Sequence, residues 1–268
     1  MNAPAILAAA VLALAAGAAQ AGRSCEQRPL SPESIRRGMQ LAERTAIELD
    51  RSGAQVAVLA RRGQNLDEYH LRYSHLGLAY RDGGVWREGG KGPAVWRVVH
   101  KLNQCGTARA SIYRQGLGEF FLDDLYEYEG AIVVPTPEAQ ARLLPMLKDN
   151  ARLAQLDTPA YNMVAYPWST SYQQSNQWAI ETFAMAQDPA AQTRPRAQAW
   201  LQLQGYQPTT LRITAMKRLG GRLGSANIAF DDHPNEKRFA DRIETVTVDS
   251  VFSWLNRSGL GGPVQVIR

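Results

Sequence analysis

The sequence predicts an α+β fold, and three observations carry that expectation. Segments with helical spacing are interleaved with short β-branched or aromatic runs. No strict strand–helix–strand rhythm connects them, and several runs are separated only by polar or glycine-rich turns. At 268 residues, 45% apolar and 21% charged, the chain is long enough to bury a full core. No repeat or low-complexity linker divides it, so residues 22–268 read as one α+β domain with a strand-rich C-terminal extension.

Residues 1–21 stand apart. Ala5 to Ala16 is an apolar run, and Ala19-Gln20-Ala21 fits the small-x-small pattern of a secretory cleavage site, although no Lys or Arg precedes the run. The run is shorter than the roughly 20 apolar residues a membrane-spanning helix needs. The expectation is a signal peptide cleaved before Gly22, a periplasmic or secreted protein, and no stable transmembrane anchor after cleavage. Export makes Cys25 and Cys105 a disulfide candidate, with Cys105 as a free nucleophile near His100 the alternative. The net charge of +5 is dispersed along the chain. It suits a solvated surface with weak attraction to anionic lipids and not a nucleic-acid-binding stripe.

Ser31-Pro32-Glu33 reads as an N-cap with proline at the first helical position, opening a helix to about Arg51 that buries Ile35, Met39, Leu41, Ala42, Ala46 and Leu49. A short strand at Val56 to Ala60 and a polar turn at Arg61 to Asp67 follow. The next strand lies within Leu71 to Gly84; alternation puts Tyr73, His75, Gly77 and Ala79 on one face and Ser74, Leu76, Leu78 and Tyr80 on the other. A glycine beside the imidazole suggests room for a ligand. A Gly83 to Gly92 hairpin loop leads to a strand at Val95 to Leu102. Leu117 to Leu125 reads as a helix or helical turn, Ala131 to Val134 as a strand, and Thr136-Pro137-Glu138 as the start of a helix to about Asn150. Helices are predicted over about Ser175–Gln187 and Pro195–Gln204, and strands at Leu211–Met216, Ile228–Phe230 and Ile243–Val248.

Three stretches carry chemistry. His75 lies in the first, YSHLGLAY; WRVVHKLN places His100 on the following strand, where pairing would set one imidazole against the other and fix a tautomer. In SYQQSNQWAIETFAMA, Ser175 sits where a polar loop becomes a helix. Its hydroxyl suits an N-cap, or a nucleophile favoured by the positive end of the helix dipole. Elsewhere, Asp231, Asp232 and His233 are metal-ligand types, but adjacent strand residues point to opposite faces and no second ligand cluster is evident. A turn held by Asp side chains before Pro234 is expected there, with no metal or other cofactor. Arg218 to Arg222, RLGGR, lacks the strand–glycine–helix context of a phosphate loop and reads as a turn.

Taken together, YSHLGLAY, VVHKLN, LGEFFLDDL and YQQSNQWAIE resemble the circularly permuted NlpC-like branch of papain-fold hydrolases, which includes the lecithin:retinol acyltransferase-like proteins. The resemblance covers about Gln55 to Met185. It implies a papain-like fold, with an antiparallel sheet packed against helices, and a nucleophile–base–orienter site of Ser175, His75 and His100. Ser175 stands where that branch carries cysteine, and a hydroxyl depends more on its base than a thiol does. The implied activity is amide or ester hydrolysis or acyl transfer on a cell-wall peptide or acyl lipid, with backbone N–H groups at the helix start as an oxyanion hole. The alternative is an inactive binding or scaffolding module of the same fold. Over the whole mature chain, GLGEFFLDDLYEYEG, YQQSNQWAIE and FDDHP are similar to segments of the exported bacterial family numbered 2145 among the domains of unknown function.

Overall fold

The Ser31 hydroxyl accepts the backbone N–H of Ser34 and opens helix α1 (Pro32–Arg51), with proline in its first turn as the sequence predicts. The computed structural model describes residues 29–83 and 94–268. The expected signal segment, Cys25 and nearly all of the Gly83 to Gly92 loop lie outside the described residues. α1 buries Leu41, Ala42 and Leu49 together with Gly38 and Thr45. Ile35 and Met39, expected inside, are 44% and 48% exposed. The reason is at Gly38, where an added Cβ would stand 2.9 Å from the Phe121 carbonyl oxygen. The backbone of the next layer approaches the helix at glycine, which centres the buried side on Gly38, Leu41, Thr45 and Leu49 and leaves Ile35 and Met39 toward its edge.

The architecture is α+β. Strands β1 (Val56–Arg61), β2 (His75–Asp82), β3 (Val95–Asn103), β4 (Ala110–Gly116), β5 (Gly130–Val133) and β8 (Gln265–Ile267) form an antiparallel sheet in the order β4-β3-β2-β1-β5-β8. Strands β6 (Thr209–Arg212) and β7 (Arg242–Thr245) pair separately. α1 and the short helix α2 (Leu117–Phe121) cover the sheet face that presents Ala57, Leu59, Ala79 and Val98. The opposite face presents Val58, Leu76, Leu78 and Tyr80. It is covered by α3 (Pro137–Lys148), α5 (Ser175–Gln187), α6 (Arg194–Leu203) and α9 (Val248–Arg257), while the short α4 (Asn150–Ala154) adds Leu153. These alternating faces follow from the two-residue period of a strand.

Tyr73 departs from the predicted alternation: it packs with Leu76, Leu78 and Phe252, across the sheet from His75. Regular strand begins only at His75, so the period does not extend back to Tyr73. The C-terminal region also differs. Leu211–Met216 is a strand only as far as Arg212, and RLGGR lies within helix α7 (Ala215–Gly224), opened by the Thr214 side chain. Ile228 and Phe230 belong to irregular chain that packs on Leu211, Ile213 and Ile243. After β7, Thr247 and Ser250 form a capping box that starts α9, so the extension carries helices among its strands. A one-turn helix α8 (Asn235–Arg238) precedes β7, and a 3-10 turn at Asp67–Tyr69 precedes β2. No helix among the described residues is long and apolar enough to cross a membrane.

Candidate functional site

β2 and β3 pair from Leu78↔Val99 to Asp82↔Val95 and part toward the start of β2. His75 lies at that opening, and its Nε2 is 2.8 Å from Nδ1 of His100. Nε2 of His100 is in turn 2.8 Å from Oε1 of Gln115 on β4. The chain of contacts fixes the protons. An amide oxygen only accepts, so His100 Nε2 carries hydrogen and His100 Nδ1 is the bare nitrogen of a neutral ring. His75 Nε2–H then donates to it, which leaves His75 Nδ1 unprotonated. No hydrogen bond among the described residues engages that nitrogen. Gly77 makes the arrangement possible: a Cβ there would stand 2.6 Å from Val98 Cγ1 and 3.1 Å from His100 Cβ. The space the glycine provides beside His75 is filled by β3 and not by a ligand.

Both rings are held neutral. Burial is the largest cause for each, followed by the nearby Arg61 guanidinium; His75 lies well below the usual imidazole range and His100 falls to about 4. Arg61 on β1 is opposite His75 in the sheet register. It is buried, donates to Asp123 at 2.8 Å and to the Phe120 carbonyl, and lies over the Phe120 ring. Since the folded-state pKa values are depressed, the unfolded chain binds more protons between about pH 6.5 and 4. The expected result is that stability falls as pH drops through this window, on the order of 3 kcal/mol from a His100 shift to about 4. Urea unfolding at pH 7.5 and at pH 4.5 measures it; His100→Asn should flatten the dependence, and an unchanged slope would contradict the assignment.

Ser175 is the first residue of α5. It is not the N-cap: that position is Gln174, whose side chain caps nothing. The residues around Ser175 are clamps. Gln173 Nε2 donates to Leu156 O and Glu181 Oε2, and its Oε1 accepts from Lys101 Nζ and Thr158 N. Gln174 Nε2 donates to Thr245 Oγ1 and Val246 O. Asn176 Oδ1 accepts from Leu76 N at 3.1 Å, which ties the helix start to the residue after His75. Gln177 Nε2 donates to Pro167 O. The buried Ser175 hydroxyl interacts with the Tyr161 hydroxyl; burial raises the Tyr161 pKa and this contact draws it down. The first-turn N–H groups of α5 receive no side-chain cap, and the helix dipole makes that end favourable for developing negative charge.

Of the three predicted residues, the fold joins His75 and His100, and no hydrogen bond links Ser175 to either. The rings lie on the α1–α2 face, against Phe120. The body of α5 packs on the other face, and its start is tied to the sheet by Asn176 at Leu76, the residue after His75.

Residues 48–255 match the family model described as an uncharacterized protein conserved in bacteria, domain-of-unknown-function family 2145. The chain belongs to that family. No curated protein and no solved structure matches it. The matched span of family 2145 contains the histidine pair, the amide clamps and a buried network that sequence reading missed. Glu181 is fully buried on α5 and receives Arg194 Nε at 2.8 Å and Gln198 Nε2 at 2.7 Å. Arg194 also donates to the carbonyls of Ser169, Thr170 and Tyr172, fixing the loop that leads to Ser175. A carboxylate within a helix carrying Trp178, Ile180 and Phe183 was the available signal, because a buried charge requires a partner. Asp232, His233 and the Tyr166 backbone form a second tie: Asp232 accepts from Tyr166 N at 2.8 Å and contacts His233 Nδ1 at 3.0 Å, while His233 Nε2 donates to Glu244 O. Both ring nitrogens of His233 are thereby engaged within the fold.

Proposed function

We propose that this member of family 2145 is an exported, papain-like protein with an acyl-transfer site at Ser175, His75 and His100. Its substrate is an amide or ester of the cell envelope, either a cell-wall peptide or an acyl lipid. The observation that supports this reading best is the His75–His100–Gln115 chain, which orients a neutral His75 ring and leaves its Nδ1 unengaged among the described residues. In the step proposed, Nδ1 takes the Ser175 proton as Oγ bonds to the substrate carbonyl carbon. The N–H groups at the start of α5 stabilise the oxyanion. The proton then passes from Nδ1 to the leaving nitrogen or oxygen, its bond to carbon breaks, and water releases the acyl group by the reverse sequence. Asp123, paired with Arg61, acts on His100 in the sense opposite to Arg61 and favours its charged form.

Purified protein assayed on p-nitrophenyl acyl esters and on cell-wall peptides should release product, and Ser175→Ala should remove that activity. Activity unchanged in Ser175→Ala would overturn the assignment.

A binding module of the same fold is the second reading, and one observation favours it. The Ser175 hydroxyl engages Tyr161 and not His75, and Arg61 disfavours the protonated base. On that reading Ser175→Ala leaves ligand binding intact. Export carries its own expected result: non-reducing mass analysis should find the chain beginning at Gly22, with Cys25 and Cys105 joined and two hydrogens fewer than the reduced form. Two titratable thiols in the native, oxidised protein would contradict the pairing.

A further inference from the structure

Helix α7 presents its apolar side to solvent. Successive residues of a helix turn by about 100°. Arg218 and Gly221 therefore form the inward side, and both are buried. Met216, Leu219 and Leu223 fall on the opposite side, with exposures of 77%, 52% and 81%. Lys217 and Arg222 flank this stripe on either side. The adjoining strand pair adds Arg212 and Arg242, which stand directly opposite each other on β6 and β7 and are both exposed. Phe239, 71% exposed, lies three residues before Arg242.

Like charges directly across a strand pair are destabilising, and large apolar side chains pointing to water mark a contact surface. The acids of this region are mostly engaged. Glu68 pairs with Lys217, Asp241 with Arg218 at 2.6 Å and Glu244 with Lys237 at 2.7 Å, while Asp231 accepts from the Tyr172 hydroxyl; Glu236 is exposed. Arg212, Arg222 and Arg242 have no ion pair among the described residues.

We infer that the α7 face docks onto a bilayer that carries anionic headgroups, with Met216, Leu219 and Leu223 entering the interface and the three arginines meeting lipid phosphates. An apolar stripe between cationic flanks is the pattern of an in-plane interfacial helix. Charge selects this occupant over a second copy of the chain, because self-association through this face would bring the same unpaired arginines together. The inference is independent of the chemistry at Ser175.

The test is flotation of the purified protein, with the same N-terminus in every variant, on phosphatidylglycerol-containing vesicles and on pure phosphatidylcholine vesicles. Binding should favour the anionic vesicles by roughly a hundredfold, from three arginines near the surface, and should weaken as salt is raised. Leu219→Ser with Leu223→Ser should lower binding about tenfold or more. Arg212→Gln with Arg242→Gln should remove most of the anionic preference. These side chains are exposed, and a thermal midpoint no lower than that of the wild type confirms folding. Equal binding to both vesicle types, no binding, or wild-type binding by the serine variant would overturn the inference. So would a dimer in vesicle-free solution that the serine variant dissociates, which would assign the face to a second copy.

Discussion

Arg194→Met should destabilise the protein by about 3–5 kcal/mol, the range expected when one member of a buried ion pair is removed. The substitution keeps the side-chain length but leaves Glu181, which is fully buried, with only the amide donors of Gln173 and Gln198. It also releases the carbonyls of Ser169, Thr170 and Tyr172, just before Ser175. Urea unfolding followed by the buried Trp178 and Trp254 measures the loss. Adding Glu181→Gln should recover part of it, since the double variant no longer buries an uncompensated charge. A loss below about 1 kcal/mol in Arg194→Met would show that the network does not hold this loop.

The second large effect is expected at Ser175. In Ser175→Cys the thiol should react with iodoacetamide at neutral pH about tenfold or more faster than an ordinary exposed cysteine, because the start of α5 and the bare His75 Nδ1 both favour thiolate. His75→Ala should return the rate to that of an ordinary thiol. The same slow rate in both variants would mean that His75 does not reach position 175. This test is separate from turnover, since it reports geometry even if the natural serine is a weak nucleophile.

Much of the fold was legible because local signals agreed with the tertiary outcome. Ser31-Pro32 marked the start of α1, and α5 spans the predicted Ser175 to Gln187. Alternation through YSHLGLAY and WRVVHKLN placed His75 and His100 on one face, and their contact followed from strand pairing. α7 was hidden because its pattern is inverted: its two consecutive glycines read as a turn, and its leucines face water. α9 was obscured by the β-branched run through Val246 and Val248, although Thr247 and Ser250 supplied a cap signal.

At the site, Ser175 was placed correctly at a helix start, but the expectation that its hydroxyl caps the helix fails. Gln174 occupies that position, and the side chains flanking Ser175 are committed to distant backbone. Arg61, Gln115, Tyr161 and Arg194 were not legible, since each meets the site through folding across many residues. No local spacing links Arg61 to the histidines or Arg194 to the loop before Ser175; the sheet register and the packing of α6 on α5 create those contacts.

The most direct measurement of the central claim is site-resolved labelling by a fluorophosphonate. Wild-type protein should form one covalent phosphonyl adduct, located at Ser175 by peptide mass analysis. His75→Ala should suppress it while the thermal midpoint shows that the protein remains folded. An adduct only at another residue, an adduct at Ser175 that persists in His75→Ala, or no adduct in wild type would contradict a His75-activated Ser175.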